Sequence, residues 1–414
     1  MNIENRLSSV AALKSEFREQ LLSIADWWAT NTIDHDNGGF YGEVDVRNVA
    51  ARSANKGIIL NSRILWFFSE VAQETIDTKN HQTYIECATR AYHYIVAHFI
   101  DTDYGGVYWE LDSQGQPIST KKQVYAHAFS IYALCAYFKL TQDQQALSHA
   151  LNCFDLLEAK AVDRHQLGYL EAFARDWSAI DDWRLSDVDL NYPKSQNTHL
   201  HVLEAYTSLY SVHPTLQIKA ALRYNIELFD KYMINRDNHH LRMFMDMQWK
   251  DYSPGFTYGH DIEASWLLAK ALEALGDSEY AQRLSPTLIK IAEVTLNEAV
   301  GEQGQVLNSY DYASQQQSIE AVWWVQAEAL VGFLFAFVSS RDDKYFSAAE
   351  NLWGFIKQHQ IDHDRGEWFW LADDALSNGE QHYKVGFWKC PYHNGRAMMD
   401  ATRYLQQIEL TAKL

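Results

Sequence analysis

Apolar residues recur along this chain with a helical period, at i, i+3, i+4 and i+7, in one segment after another. The spacing predicts helices over 57–74, 83–99, 121–138, 143–159, 197–211, 216–233, 260–275, 279–298, 322–337, 342–358 and 391–407; an opening helix near 5–29 makes twelve. Segments 57–68 and 322–337 (VWWVQAEALVGFLFAF) are apolar around most of their circumference, as helices buried on both sides must be.

A second pattern separates the helices, a polar turn leading into a short alternating aromatic or apolar run. It reads IDHDNGGFYGEVD (33–45), IDTDYGGVYWELD (100–112), VDRHQLGYLEAF (162–173), INRDNHHLRMFMD (234–246), VGEQGQVLNSYD (300–311) and IDHDRGEWFWLAD (361–373). Gly39, Gly106, Gly168, His240, Gly304 and Gly366 mark matching points, 67, 62, 72, 64 and 62 residues apart. Six matching points at similar intervals, with two helices to each, mean six copies of one unit. The expected fold class is therefore all-α: an (α/α)6 barrel of six inner and six outer helices, with short β-hairpin arms at one end. Glycine suits the turns because it reaches positive φ without a Cβ clash. No Pro-rich or Gly/Ser-rich linker interrupts the chain, so 1–414 is read as a single domain.

Composition narrows the function. Of 414 residues 47% are apolar, enough for a large core and too many for disorder. Basic residues number 35 against 54 acidic, a formal −19 with no local Lys/Arg run, which disfavours nucleic acid and anionic membrane surfaces as partners. No run approaches 18 consecutive apolar residues, so no membrane span is expected. Cys87, Cys135, Cys153 and Cys390 are scattered, which argues against a disulfide framework or a cysteine zinc site. The start, MNIENRLSSVAALKSEFREQ, lacks the apolar core of a secretory signal, and a cytoplasmic location is expected. A neutral small molecule remains as the partner.

Polar side chains on otherwise buried helices then become informative. Arg63 stands inside NKGIILNSRILWFF, where a charge is costly unless paired or used; it is either a structural ion-pair member or a cation held for an oxyanion. Asn197, His201 and Glu204 share one face at a helix start, although a lone core histidine is commonly just hydrogen-bonded. His260 and Glu263 lie one turn apart in GHDIEASWLL, suiting a metal pair, an acid/base pair or a structural bond; metal is disfavoured because no further ligand has a matching spacing. Trp323, Trp324, Gln326 and Glu328 interleave flat rings with polar groups; paired Trp is usually core, but rings beside amide and carboxylate groups also suit a sugar. Trp388, His393 and Arg396 cluster in VGFWKCPYHNGRAMM, with Pro391 opening the last helix. Glu263 and Glu328 also leave open an inverting glycoside hydrolase, and a non-catalytic sugar binder is a further reading.

NKGIILNSRILWFFS, DYGGVYWELDSQGQP, EAFARDW, NTHLHVLEAYT, YGHDIEASWLL, WWVQAEALVGF and WKCPYHNGR together resemble the N-acylglucosamine 2-epimerase superfamily, and within it most of all the cellobiose 2-epimerases. The resemblance spans residues 38–396. It implies an (α/α)6 barrel that inverts C2 of an aldose without metal or redox cofactor. His260 and His393 match the general acid/base pair, His201 the residue assisting ring opening, and Arg63 the group binding the enediolate oxygens. Tyr125, Asn197, Glu263, Trp324 and Trp388 match sugar contacts, and Asp189 a position near a second sugar ring. The implied substrate is cellobiose or a related β-1,4 disaccharide; a monosaccharide 2-epimerase or aldose–ketose isomerase is the alternative. The chain itself is expected to be a monomer or a weak homodimer.

The chemistry agrees with the residue types. A proton α to an aldehyde is weakly acidic, so its removal at neutral pH needs a positioned base and an electrophile. Inversion needs a second group on the opposite face of the planar enediolate. Two imidazoles, each with an ordinary pKa of roughly 6.5, can exchange the two roles.

Overall fold

The computed structural model describes residues 3–372 and 382–412. Met1 and Asn2 of the polar start, and Asp373 at the end of the sixth turn segment, lie outside the described residues. Twelve α-helices are present among the described residues, one at each expected place. They are α1 Ile3–Asn31, α2 Ile58–Glu74, α3 His81–Tyr94, α4 Val124–Thr141, α5 Gln144–Leu156, α6 Gln196–Val212, α7 Leu216–Leu228, α8 Tyr258–Leu275, α9 Ser278–Ala299, α10 Trp323–Ser340, α11 Asp343–Phe355 and α12 His393–Ala412. Helices α3, α5, α7 and α11 each run on into one π-helical turn.

The even-numbered helices form the inner ring. Packing runs α2–α4–α6–α8–α10–α12, and α12 closes on α2, where Gly395 backs onto Phe67 and Arg403 pairs with Glu74 at 2.7 Å. Each inner helix is covered by the outer helix that follows it, while α12 is covered by α1, so the first and last helices form the sixth pair. Helix α10 is long and apolar enough to cross a membrane, but 78% of that stretch is buried here and it carries Gln326 and Glu328. Barrel interior accounts for its composition.

Six isolated bridges close the six polar turns: Ile33–Phe40, Ile100–Val107, Val162–Tyr169, Ile234–Leu241, Val300–Val306 and Ile361–Trp368. The backbone bond across each turn ends on Gly39, Gly106, Gly168, His240, Gln305 and Glu367. The structurally matching points in the last two units are therefore Gln305 and Glu367, one residue beyond the glycines taken as markers. Their glycines still supply positive φ, at 89° for Gly304 and 80° for Gly366, whereas His239 does so in the fourth unit. Among the described residues two of the arms are paired strand hairpins, Glu110–Leu111 with Pro117–Ser119 and Ser309–Asp311 with Gln316–Ser318. The other short strands pair across units, as in Lys122–Gln123 with Ala172–Phe173. This ladder ties the start of each inner helix to the next unit's turn.

Buried charge fixes the same end of the barrel. Lys56–Asp34, Lys122–Asp101, Lys194–Asp163 and Lys384–Asp362 pair at 2.7, 2.8, 3.0 and 2.7 Å, each lysine standing on the approach to an inner helix. In four units the fourth residue of the inner helix then takes the bridge N–H of a turn. His127 Nε2 accepts from Val107, His199 Nε2 from Tyr169, Asp261 Oδ1 from Leu241 and Gln326 Oε1 from Val306, at 2.8–3.1 Å. These polar groups are structural. They fix the rotation of four inner helices; Asn61 and Asn394 hold the matching places on α2 and α12 but bond differently, Asn61 donating to the Gly57 carbonyl and Asn394 to the Glu367 carboxylate.

Candidate active site

Two residues beyond that structural position stand Arg63, Phe129, His201, Glu263, Glu328 and Arg396, one from each inner helix. A step of two carries the side chain about 200° around the helix, from the turn side to the lumen. There the six residues meet.

Arg63 is buried, with only neutral partners among the described residues. Its Nη2 donates to the Tyr125 hydroxyl at 2.9 Å, and its Nη1 to the Trp388 carbonyl at 3.2 Å and to Cys390 Sγ at 3.6 Å. The guanidinium is clamped between the rings of Phe129 and Tyr392, 4.2 and 4.6 Å from their centroids. Aromatic faces offset part of the desolvation of such a cation and leave its charge available.

His201 packs against Tyr125 and Phe129 with centroids at 4.9 and 4.6 Å, and its Nδ1 lies 3.2 Å from Glu204. Trp324, in the first turn of α10, contacts both remaining histidines, with centroids 4.8 Å from His260 and 5.6 Å from His393. His260 Nδ1 meets the Thr257 hydroxyl at 2.6 Å, and His393 Nδ1 meets Glu328 Oε1 at 2.6 Å. Burial lowers all three imidazole pKa values. His260 falls to about 3, and His393 falls well below its usual value. All three rings are therefore neutral at pH 7, as a base toward carbon must be.

His260 also lines a cleft with Asp189, Asn197, Glu171, Trp183 and Tyr192. Asn197 Oδ1 is buried there without a hydrogen-bond partner among the described residues, an acceptor free for a hydroxyl. Asp189 accepts from the backbone N–H and hydroxyl of Ser186 at 2.9 and 2.7 Å, which closes the loop around that side of the cleft. Trp388 stands against Tyr125 and Trp109, at 6.0 and 6.1 Å. The ten residues expected at the site thus gather at one end of the barrel, with Glu263 set deeper on Arg396.

The sequence reading did not include the Phe129–Tyr392 clamp or Glu171. Glu171 accepts from Ser195 N–H at 2.8 Å and from the Thr198 hydroxyl at 2.6 Å, holding the first turn of α6, and burial raises its pKa to about 8. The step of two from the structural position would have flagged Phe129.

Glu263, Glu328 and His393 bring ligand atoms within 4.8 Å of one another, the spatial companionship that spacing in the chain does not reveal. Arg396 already fills that cluster. Its Nη2 donates to both Glu263 and Glu328, and its Nη1 to Glu204. The site is an ion-pair knot built on a guanidinium, and its residues do not call for a metal.

These features define a class: an (α/α)6 barrel with neutral histidines and one unneutralised arginine at the lumen mouth. The N-acylglucosamine 2-epimerase (GlcNAc 2-epimerase) family model matches residues 39–395. The chain belongs to that family. It is 39% identical to a cellobiose 2-epimerase of Bacteroides fragilis over 391 residues, 94% of this chain and 98% of that one. The solved cellobiose 2-epimerase of Bacillus thermoamylovorans superposes with a TM-score of 0.88 at 34% identity, covering 95% of this chain and 99% of that one. A D-mannose isomerase of Marinomonas mediterranea is more distant, 23% identical over 318 residues, 73% of this chain and 76% of that one.

Proposed function

We propose that this protein is a sugar 2-epimerase that converts the reducing-end glucose of cellobiose and related β-1,4 disaccharides to mannose. The observation that carries the reading is the pairing of neutral imidazoles on α8 and α12 with a buried arginine that has no carboxylate partner among the described residues. One of His260 and His393 takes the C2 proton, breaking the C–H bond, and its electron pair passes into the cis-enediolate. The other delivers a proton to the opposite face of C2. Arg63 carries the enediolate charge, and His201 with Tyr125 serves ring opening at O1 and O5. Trp324 and Trp388 give the sugar flat walls.

The greater likeness to cellobiose 2-epimerases than to a mannose isomerase supports a disaccharide substrate. The hydrolase alternative loses ground, because Glu263 and Glu328 are both buried on Arg396 and neither can hold a water across a cleft. Four free, buried cysteines support the cytoplasmic reading.

The test is incubation with cellobiose in deuterated water. Glucosyl-mannose carrying deuterium at C2 is expected, with His260→Ala and His393→Ala each folded but without turnover. Absence of C2 exchange, or release of free glucose, would refute the proposal; fructose from mannose would move it to an isomerase.

A further inference from the structure

Three buried carboxylates, Glu204 on α6, Glu263 on α8 and Glu328 on α10, converge on one guanidinium, Arg396 of α12. If all were ionised, the knot would hold two uncompensated negative charges away from water, which is strongly disfavoured. Glu204 is well supplied with donors, from Arg396, the Tyr392 hydroxyl and the His201 ring. Burial would raise its carboxyl, but Arg396 and His201 hold it at about 2, so it is ionised.

Glu328 is different. Its Oε2 is buried with no hydrogen-bond partner among the described residues, as is Glu263 Oε2, but of these two carboxyls it is Glu328 that meets His393. Its Oε1 lies between Arg396 Nη2 at 2.7 Å and His393 Nδ1 at 2.6 Å. Burial drives its pKa well above the carboxylate range against the pull of Arg396, with Glu263 and Glu204 adding to the rise. The charged and titratable groups facing it are Arg396 and His393 on α12, Glu263 on α8 and Glu204 on α6. Arg63 on α2 and His201 on α6 also bear on His393.

We infer that the resting enzyme keeps a proton on the Glu328 carboxyl as the reserve behind His393, so that the pair delivers a proton to one face of the sugar while His260 accepts one on the other. This rests on the epimerase reading. In the delivering step the His393 Nε2–H bond breaks as a C2–H bond forms, and the Glu328 O–H proton passes to His393 Nδ1. The ring stays neutral and Glu328 ends as a carboxylate. In the return direction both transfers reverse. Among the described residues His260 has the Thr257 hydroxyl behind it and no carboxyl to act as a reserve.

Glu328→Gln removes the reserve and keeps the shape. Donation from His393 would then leave an imidazolate, so inversion should fall at least ~100-fold, the range of a lost general acid. His260 still takes and returns a proton on its own face. In deuterated water the variant should exchange C2–H of one epimer, with retention, within ~10-fold of the wild-type rate, and not exchange the other. Inversion near the wild-type rate, or loss of exchange from both epimers in folded protein, would overturn the inference. Wild-type protein with 13C-labelled glutamate gives a readout independent of the variant: a buried carboxylic-acid C=O band must persist through neutral pH, and its absence refutes the reserve. Failure of the wild type to exchange C2 of any aldose would instead sink the epimerase reading.

Discussion

Replacing Arg63 by methionine separates a catalytic cation from a structural one. A structural buried arginine is held by a carboxylate, and its loss costs about 3–5 kcal/mol because a charge is left unpaired. Arg63 leaves only neutral groups behind, the Tyr125 hydroxyl and the Trp388 carbonyl, each worth about 1 kcal/mol. The stacked contacts to Phe129 and Tyr392 add about 2 kcal/mol apiece at a desolvated site. Against this loss of about 6 kcal/mol stands the desolvation of a buried ion, several kcal/mol in real proteins, which methionine does not incur. The fold should therefore change in stability by no more than about 2 kcal/mol, a shift of a few degrees in Tm. Activity should respond very differently. A preorganised donor aimed at a developing oxyanion is worth about 3–4 kcal/mol, so kcat should fall about 10²–10³-fold. Calorimetry and sugar chromatography on the same preparation check both halves. Activity within tenfold of wild type would refute the assignment, and so would a collapse of Tm that accounts for the lost turnover.

Two further predictions concern the end of the barrel that carries the site. Burial holds His199 at about 3, so the unfolded chain takes up a proton below pH 6.5 that the folded protein refuses, and stability is lost as pH falls from 6.5 toward 3. Gln326 already does the same work in the fifth unit, accepting from Val306 N–H and donating to Val322 C=O, so His199→Gln should fold. The variant should lose about 1.4 kcal/mol less per pH unit than wild type between pH 6 and 4 in urea unfolding; parallel pH profiles would contradict this. Lys56→Met would strand Asp34, which keeps only the backbone N–H donors of Asp36 and Asn37 and the Asn37 side chain, at a cost of about 3 kcal/mol. Adding Asp34→Asn should recover most of it, and a single-mutant loss below about 1 kcal/mol would show that the pair is not a staple.

What could be read from the sequence follows from what is local. Helix positions depend on a period within one segment, and all twelve appear where the period places them. Turn register depends on backbone bonds closed in three dimensions, so glycine misled as a marker at Gln305 and Glu367: the glycine and the closing bond fall on adjacent residues, and Glu367 takes a positive φ without being glycine. The string NTHLH holds both outcomes for a buried histidine. His199 takes the Tyr169 N–H, whereas His201, two positions on, faces Tyr125 and Glu204 in the lumen. Nothing in the residue type distinguishes them; the rotation of α6 does, and that rotation is fixed by Ser195, Glu171 and the neighbouring unit's turn. The same holds for Arg63, whose clamp comes from α4 and α12, and for Glu328, whose meaning depends on Arg396, 68 residues away. In this barrel each inner helix contributes one lumen residue at a shared height, so chemistry arises only between units. A sequence pattern can identify that height once the structural position two residues earlier is known. It cannot say which of the six residues carries a proton, because that is decided by the sum of charges the other five bring to the same ring.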